Sequence, residues 1–281
     1  MKHVSSTDGV TLALHDLGGQ GPTVFFSHAT GFHAMVWRPL AEHLAPHYHA
    51  WAVDYRAHGD SAAPESGSLH WEGYGADASS VARALGFTPD APGLGIGHSM
   101  GGAALLMAEL AAPGTFRGLV LFEPIVFPAE REVPEGGSAM PAAARRRRPE
   151  FASYDEAIAN FASKPPLNTL RADALSAYVR HGFAPTEAGT VRLKCEPENE
   201  ARTYEMSGTH GTFERLDEVA CPVLVLSGRD EPMQPAAWAE QVADALPAGH
   251  FERHDELGHF GPLEAPDLVG DVVDRFFSSL R

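Results

Sequence analysis

Cysteine is scarce in this sequence, where only Cys195 and Cys221 occur among 281 residues. Two cysteines so far apart in the chain cannot build a disulfide scaffold or a cysteine-based zinc site. The fifteen histidines are scattered along the chain. We therefore expect neither a metal nor a cofactor, and a reduced, intracellular setting.

Long apolar runs are also missing. No stretch of about 18 apolar residues could span a bilayer, and the polar start of the sequence, Met1 to Gly9, lacks the apolar region of a signal peptide. The sequence therefore predicts a soluble protein of the cytoplasm.

Positive charge is in deficit, because 21 Lys and Arg stand against 37 Asp and Glu, and 21 − 37 gives a net charge of −16. The electrostatic field of a protein with this net charge repels phosphate backbones and anionic lipids, so we expect no nucleic acid and no membrane as partner. The one exception is the run Arg145-Arg146-Arg147-Arg148. This run is typical of a solvated surface, and its alternative role is to bind an acidic substrate.

Short apolar runs alternate with helix-like segments along most of the chain. The strand-like runs are Thr23–Phe26, Ala50–Val53, Gly93–Ile96, Leu119–Phe122 and Val223–Leu226. The helix-like segments are Trp37–Leu44, Ala76–Leu85, Ala103–Ala111, Pro235–Leu246 and Ala265–Leu280. Continuous apolar strands separated by helices predict an α/β fold with a mostly parallel, doubly wound sheet. Val10–Leu14 alternates instead, which indicates an antiparallel hairpin at the sheet edge.

The alternation of strand-like and helix-like segments stops between residues 127 and 207, where no strand-like run occurs. Two helices are predicted there, over Ser153–Phe161 and Ala172–His181. We interpret residues 127–207 as a helical cap inserted into a core formed by residues 1–126 and 208–281.

The most informative motif is Gly97-His98-Ser99-Met100-Gly101, which joins a predicted strand to a predicted helix. A serine on so sharp a turn needs small residues two positions before and after it, and both are glycine here. The turn lifts the serine hydroxyl into the open at a helix N-terminus, where negative charge is favoured. This placement predicts that Ser99 is a nucleophile.

Together with three further segments, this motif makes the chain resemble the capped, cofactor-free serine hydrolases of the α/β-hydrolase fold. The further segments are His28–Phe32, similar to a His-Gly-x-x-Gly loop, Asp54–Ser61, similar to Asp-x-Arg-Gly-His-Gly-x-Ser, and the loop Gly258–Pro266. The chain departs from the family pattern at Ala29 and Ala57, where glycine is usual.

The resemblance implies the other catalytic roles. His259 would be the general base and Glu231 the acid that orients it, while Asp230 and Glu123 remain open as alternative acids. The backbone N–H groups of Thr30 and Met100 would form the oxyanion hole.

We therefore expect hydrolysis of a small-molecule carboxylic ester or lactone through an acyl-enzyme. A C–C bond hydrolase and a perhydrolase would use the same triad and are the alternatives among enzymes. The alternative of another class is a ligand receptor that keeps the fold without turnover.

Overall fold

A large twisted sheet and a smaller one form the framework of the computed structural model, which describes residues 1–129, 138–230 and 234–280. In chain order, the strands of the described residues are β1 (Lys2–Ser5), β2 (Thr11–Gly19), β3 (Thr23–Ser27), β4 (His49–Asp54), β5 (Gly93–His98), β6 (Phe116–Phe122), β7 (Glu150–Phe151), β8 (Phe183–Pro185), β9 (Val191–Leu193), β10 (Val223–Ser227) and β11 (Gly249–Arg253).

The large sheet has the order β1-β2-β4-β3-β5-β6-β10-β11. The pairs β1/β2 and β2/β4 are antiparallel, and the pairs from β4 through to β11 are parallel. The mostly parallel sheet and the N-terminal edge hairpin are therefore confirmed. Strand β11 was not predicted, because it lies at the far edge and alternates polar with apolar residues instead of forming an apolar run.

Helices cover both faces of this sheet. The helices of the described residues are α1 (Arg38–Leu44), α2 (Trp71–Ala84), α3 (Met100–Ala111), α4 (Met140–Arg145), α5 (Tyr154–Ala162), α6 (Ala172–Gly182), α7 (Pro197–Glu205), α8 (Ala236–Ala245), α9 (Gly261–Glu264) and α10 (Pro266–Ser279). Helices α1 and α10 pack on one face, and α2, α3 and α8 pack on the other. Each face therefore has its own hydrophobic core. Within β3, Phe26 belongs to the core under α1 and α10 and Phe25 to the core under α2, α3 and α8, because successive side chains of a strand point to opposite faces.

The segment predicted to be a cap contains the two predicted helices, at α5 and α6. Helix α5 begins after Ser153, whose hydroxyl accepts a hydrogen bond from the N–H of Glu156 at 3.1 Å. The segment also contains the antiparallel sheet β7-β9-β8, which the sequence did not predict because its strands are only two or three residues long. The division into core and cap stays a prediction.

Across the described ranges, none of the helices combines the length and the apolar composition needed to cross a membrane.

Candidate active site

Ser99 stands on a strained turn between β5 and α3. Its φ of 55° and ψ of −118° lie where a residue with a side chain rarely rests. A Cβ on Gly97 would lie 2.7 Å from the Cα of Gly102, and a Cβ on Gly101 would overlap the carbonyl oxygen of Ser27. The two glycines are therefore required for the turn to close, as the sequence motif predicts.

Thr30, in the loop after β3, and Met100, at the start of α3, lie close together at this turn. The absence of a side chain at Gly101 lets the end of β3 approach the start of α3, and the Thr30 hydroxyl lies 3.4 Å from the Met100 sulfur. Met100 is the first residue of α3, so its N–H has no acceptor within the helix. This arrangement suits an anion beside Ser99.

His259 is held by a buried carboxylate. Its Nδ1 lies 2.5 Å from Oε2 of Glu123, whose side chain is 1% exposed. The other carboxylate oxygen of Glu123 accepts the N–H of Gly228 at 2.8 Å. Both oxygens of Glu123 are therefore engaged, and the carboxylate can hold the imidazole in one orientation.

Glu123 takes this position because β6 and β10 end side by side. It follows the last residue of β6 with a φ of 43°, and its N–H donates to the carbonyl of Leu226 in β10 at 2.8 Å. Asp230 is exposed, and Glu231, which the sequence assigned as the acid, lies outside the described residues. The assignment of Glu231 stays a prediction, while the carboxylate in contact with His259 is that of Glu123.

His98, next to Ser99 in the chain, faces away from the turn into the protein. Its Nε2 lies 2.8 Å from the carbonyl oxygen of His259, and the two rings are 4.9 Å apart between centroids. Burial, followed by the charge of His259, keeps the pKa of His98 well below its usual value. His98 is therefore a neutral donor that fixes the backbone of His259.

The segment Asp54–Ser61 supports the Thr30 loop from behind. His58 Nε2 accepts the N–H of Gly31 at 3.1 Å, while its Nδ1 donates to the carbonyl of Arg56 at 2.8 Å. Ala57 has a φ of 60°, a conformation that costs a residue with a side chain about 1–2 kcal/mol. Ala29 is not among the residues with positive φ, and Gly31 takes that conformation in its loop, so alanine at position 29 is tolerated.

A cavity of about 390 Å³ opens beside these loops. Thr30 lines it from one loop and Phe260, the neighbour of His259, lines it from another. Phe32, Phe151 and Phe161 supply much of its apolar wall. The cavity can therefore hold a small molecule with an apolar portion next to the Ser99 turn.

These features are those of an α/β-hydrolase fold in which a serine lies on a strained turn between a strand and a helix. The alpha/beta hydrolase family model matches residues 24–272, and the chain belongs to this family. The predicted fold and family are confirmed, and the chain is a hydrolase.

Individual relatives agree with this assignment. The chain is 29% identical over 271 residues to a pimeloyl-(acyl-carrier protein) methyl ester esterase of Xanthomonas oryzae pv. oryzae, with 94% of this chain and 98% of that protein covered. Among solved structures, E-2-(acetamidomethylene)succinate hydrolase superposes with a TM-score of 0.84 at 22% identity, covering 99% and 98% of the two chains. Esterase RhEst1 from Rhodococcus sp. ECU1013 gives a TM-score of 0.76 at 23% identity, covering 100% and 99%.

Proposed function

We propose that this protein is a serine hydrolase of small carboxylic esters or lactones that works through an acyl-enzyme on Ser99. The observation that carries the proposal is the 2.5 Å contact between His259 and the buried Glu123, close to the strained Ser99 turn. The name and sequence similarity of the Xanthomonas esterase support an ester as the bond that is cleaved.

In the proposed mechanism, His259 takes the proton of the Ser99 hydroxyl as the oxygen attacks the ester carbonyl. Because Nδ1 of His259 is bound to Glu123, Nε2 is the nitrogen that accepts this proton. The negative charge that develops on the carbonyl oxygen is stabilised by the N–H groups of Thr30 and Met100. His259 then protonates the leaving alcohol, and a water molecule that it activates releases the acid from Ser99.

We assign the role of the acid to Glu123, in place of Glu231. An imidazole has one Nδ1 hydrogen, and Glu123 lies at hydrogen-bond distance from that nitrogen. Burial strengthens the interaction, because a carboxylate away from water stabilises the imidazolium more strongly than an exposed one.

The substrate is expected to be a small molecule, as the size of the cavity indicates. The location in the cytoplasm and the absence of nucleic acid and membrane partners remain predictions. No feature of the described residues favours the C–C bond hydrolase, the perhydrolase or the receptor over ester hydrolysis.

The first test is the hydrolysis of p-nitrophenyl acetate and butyrate by the purified protein. We expect steady turnover of at least one ester, preceded by a burst of p-nitrophenol if deacylation is the slower step. A Ser99→Ala variant with an unchanged melting temperature should show neither the burst nor the turnover. Equal turnover by this variant would overturn the proposal, and folded wild-type protein that cleaves no ester would favour the receptor.

A further inference from the structure

The arginine run at the end of α4 is neutralised at three of its four positions. Arg145, Arg147 and Arg148 each contact a carboxylate, whereas Arg146 has no acidic partner within residues 1–129, 138–230 and 234–280. The carboxylate partners are Glu198 and Glu205 for Arg145, Glu200 for Arg147, and Glu156 for Arg148. Arg146 is exposed, so its charge is available to a ligand.

Arg146 lines the cavity beside the Ser99 turn, and so does Lys164, which follows α5. Lys164 is exposed as well and has no carboxylate partner in the described part of the chain. Among the described residues of the cavity wall, Glu200 is the acidic one, but it contacts Arg147 and its side chain is only 7% exposed. The wall therefore carries two positive charges that no described carboxylate neutralises, in a chain whose net charge is −16.

Arg147 is not available for the same purpose. Its guanidinium donates to Glu200 and to the hydroxyl of Tyr178, and although burial opposes the charge, these partners keep the pKa of Arg147 above its usual value. Replacing Glu200 by a ligand would leave a buried carboxylate unpaired, which is costly. Arg147 therefore acts as part of the wall, and Arg146 and Lys164 are the groups that can bind an anion.

The remainder of the wall is largely apolar and reaches the proposed catalytic loops. Phe161 and Phe151 line the same cavity as Arg146 and Lys164. Thr30, which belongs to the proposed oxyanion hole, and Phe260, the neighbour of His259, line it as well. A ligand that fills this space would combine an apolar portion with an anionic end.

We propose that the substrate carries an anionic group, such as a carboxylate, which Arg146 and Lys164 bind while the ester lies at Ser99. This inference rests on the proposed hydrolase function and narrows its substrate class. The anionic group can belong to the acyl part or to the alcohol part of the ester. A charged hydrogen bond to each cation would favour the anionic ester over a neutral one of the same size.

The test compares esters that differ only by the charged group. For the acyl part, p-nitrophenyl hexanoate is paired with the p-nitrophenyl monoester of adipic acid. For the alcohol part, phenyl hexanoate is paired with 4-(hexanoyloxy)benzoate. We expect wild-type kcat/KM to be about tenfold higher for the anionic member of one pair, at low ionic strength.

The variant Arg146→Gln, combined with Lys164→Gln, should lower kcat/KM for the anionic ester about tenfold, to the value of its neutral partner, and so remove the preference. Arg145→Gln is the matched control, because Arg145 precedes Arg146 directly but does not line the cavity, and it should keep the preference. Hydrolysis of the neutral esters without a preference for either anionic ester, or a preference that survives the double variant, would overturn the inference. Failure of wild-type protein to cleave any of the four esters would instead overturn the proposed function, and this inference with it.

Discussion

Replacing Glu123 by glutamine is expected to lower kcat for ester hydrolysis by about 10³–10⁴-fold. The amide keeps the size of the side chain but removes the charge that stabilises the His259 imidazolium. It can also donate a hydrogen to Nδ1, which favours the tautomer that cannot accept the Ser99 proton. Since the carboxylate is 1% exposed, water cannot replace it. The measurement is kcat for a p-nitrophenyl ester, with the melting temperature of the variant as a check on folding.

The matched controls are Glu231→Gln and Asp230→Asn, which change the other two candidate acids. Both should retain kcat within a few-fold of the wild type if Glu123 is the acid. A Glu123→Gln variant that keeps near-wild-type kcat, together with a large loss in Glu231→Gln, would return the role to Glu231 and refute our assignment.

Acidification is expected to destabilise the fold between pH 7 and pH 5.5, because four buried histidines are held neutral. Burial lowers the pKa of His28 to about 3 and that of His33 to about 4, and it also lowers the pKa of His58 and His98. In His28, His33 and His58, one ring nitrogen accepts a backbone N–H, so protonation would break that hydrogen bond.

The direction of the effect follows from proton binding. In the unfolded chain these histidines titrate near pH 6.5, so below that pH the unfolded state binds protons that the folded state excludes. The stability that the neutral histidines contribute is complete above about pH 6.5. It is lost progressively as the pH falls toward the pKa values of these histidines in the folded protein. His28 and His33 together should lower the free energy of unfolding by about 2.5 kcal/mol between pH 7 and pH 5.5, and His58 and His98 add to this loss.

Urea unfolding at the two pH values measures this loss directly. The variant His33→Gln removes one titrating group and should reduce the difference by about 1 kcal/mol. Equal free energies of unfolding at pH 7 and pH 5.5 would show that these histidines are not held neutral in the folded protein.

The sequence was sufficient to predict the Ser99 turn, because this turn depends on local features. Glycine at positions 97 and 101 is dictated by contacts within the turn itself, and such spacing is visible in any single sequence. The parallel strands were predicted for a similar reason, since a strand buried on both faces reads as a continuous apolar run.

The acid could not be assigned in this way. Strands β6 and β10 are parallel neighbours in which Phe122 pairs with Leu226, so the residues that follow each strand reach the same edge of the sheet. The sequence therefore leaves Glu123, Asp230 and Glu231 open as candidate acids, and Glu231 lies outside the described residues. The positive φ of Glu123 and its hydrogen bond to Gly228, which turn the carboxylate toward His259, depend on tertiary contacts that spacing does not reveal.

The different roles of the four arginines also depend on tertiary contacts that the sequence does not reveal. Four consecutive arginines look equivalent in the sequence, and a solvated surface was the main interpretation. The arginines differ in whether a carboxylate neutralises them, and helix α7 causes part of this difference. Its residues Glu198 and Glu205 contact Arg145, and Glu200 contacts Arg147. Arg146 has no such partner in the described residues and lines the cavity.

The most direct test of the proposed mechanism is covalent labelling with a fluorophosphonate, followed by mass spectrometry of the labelled peptide. A serine activated by His259 and placed beside an oxyanion site should react with one equivalent of the reagent, with the label on Ser99, and Glu123→Gln should react far more slowly. A folded protein that cleaves esters yet carries no label, or carries it on a residue other than Ser99, would contradict the account.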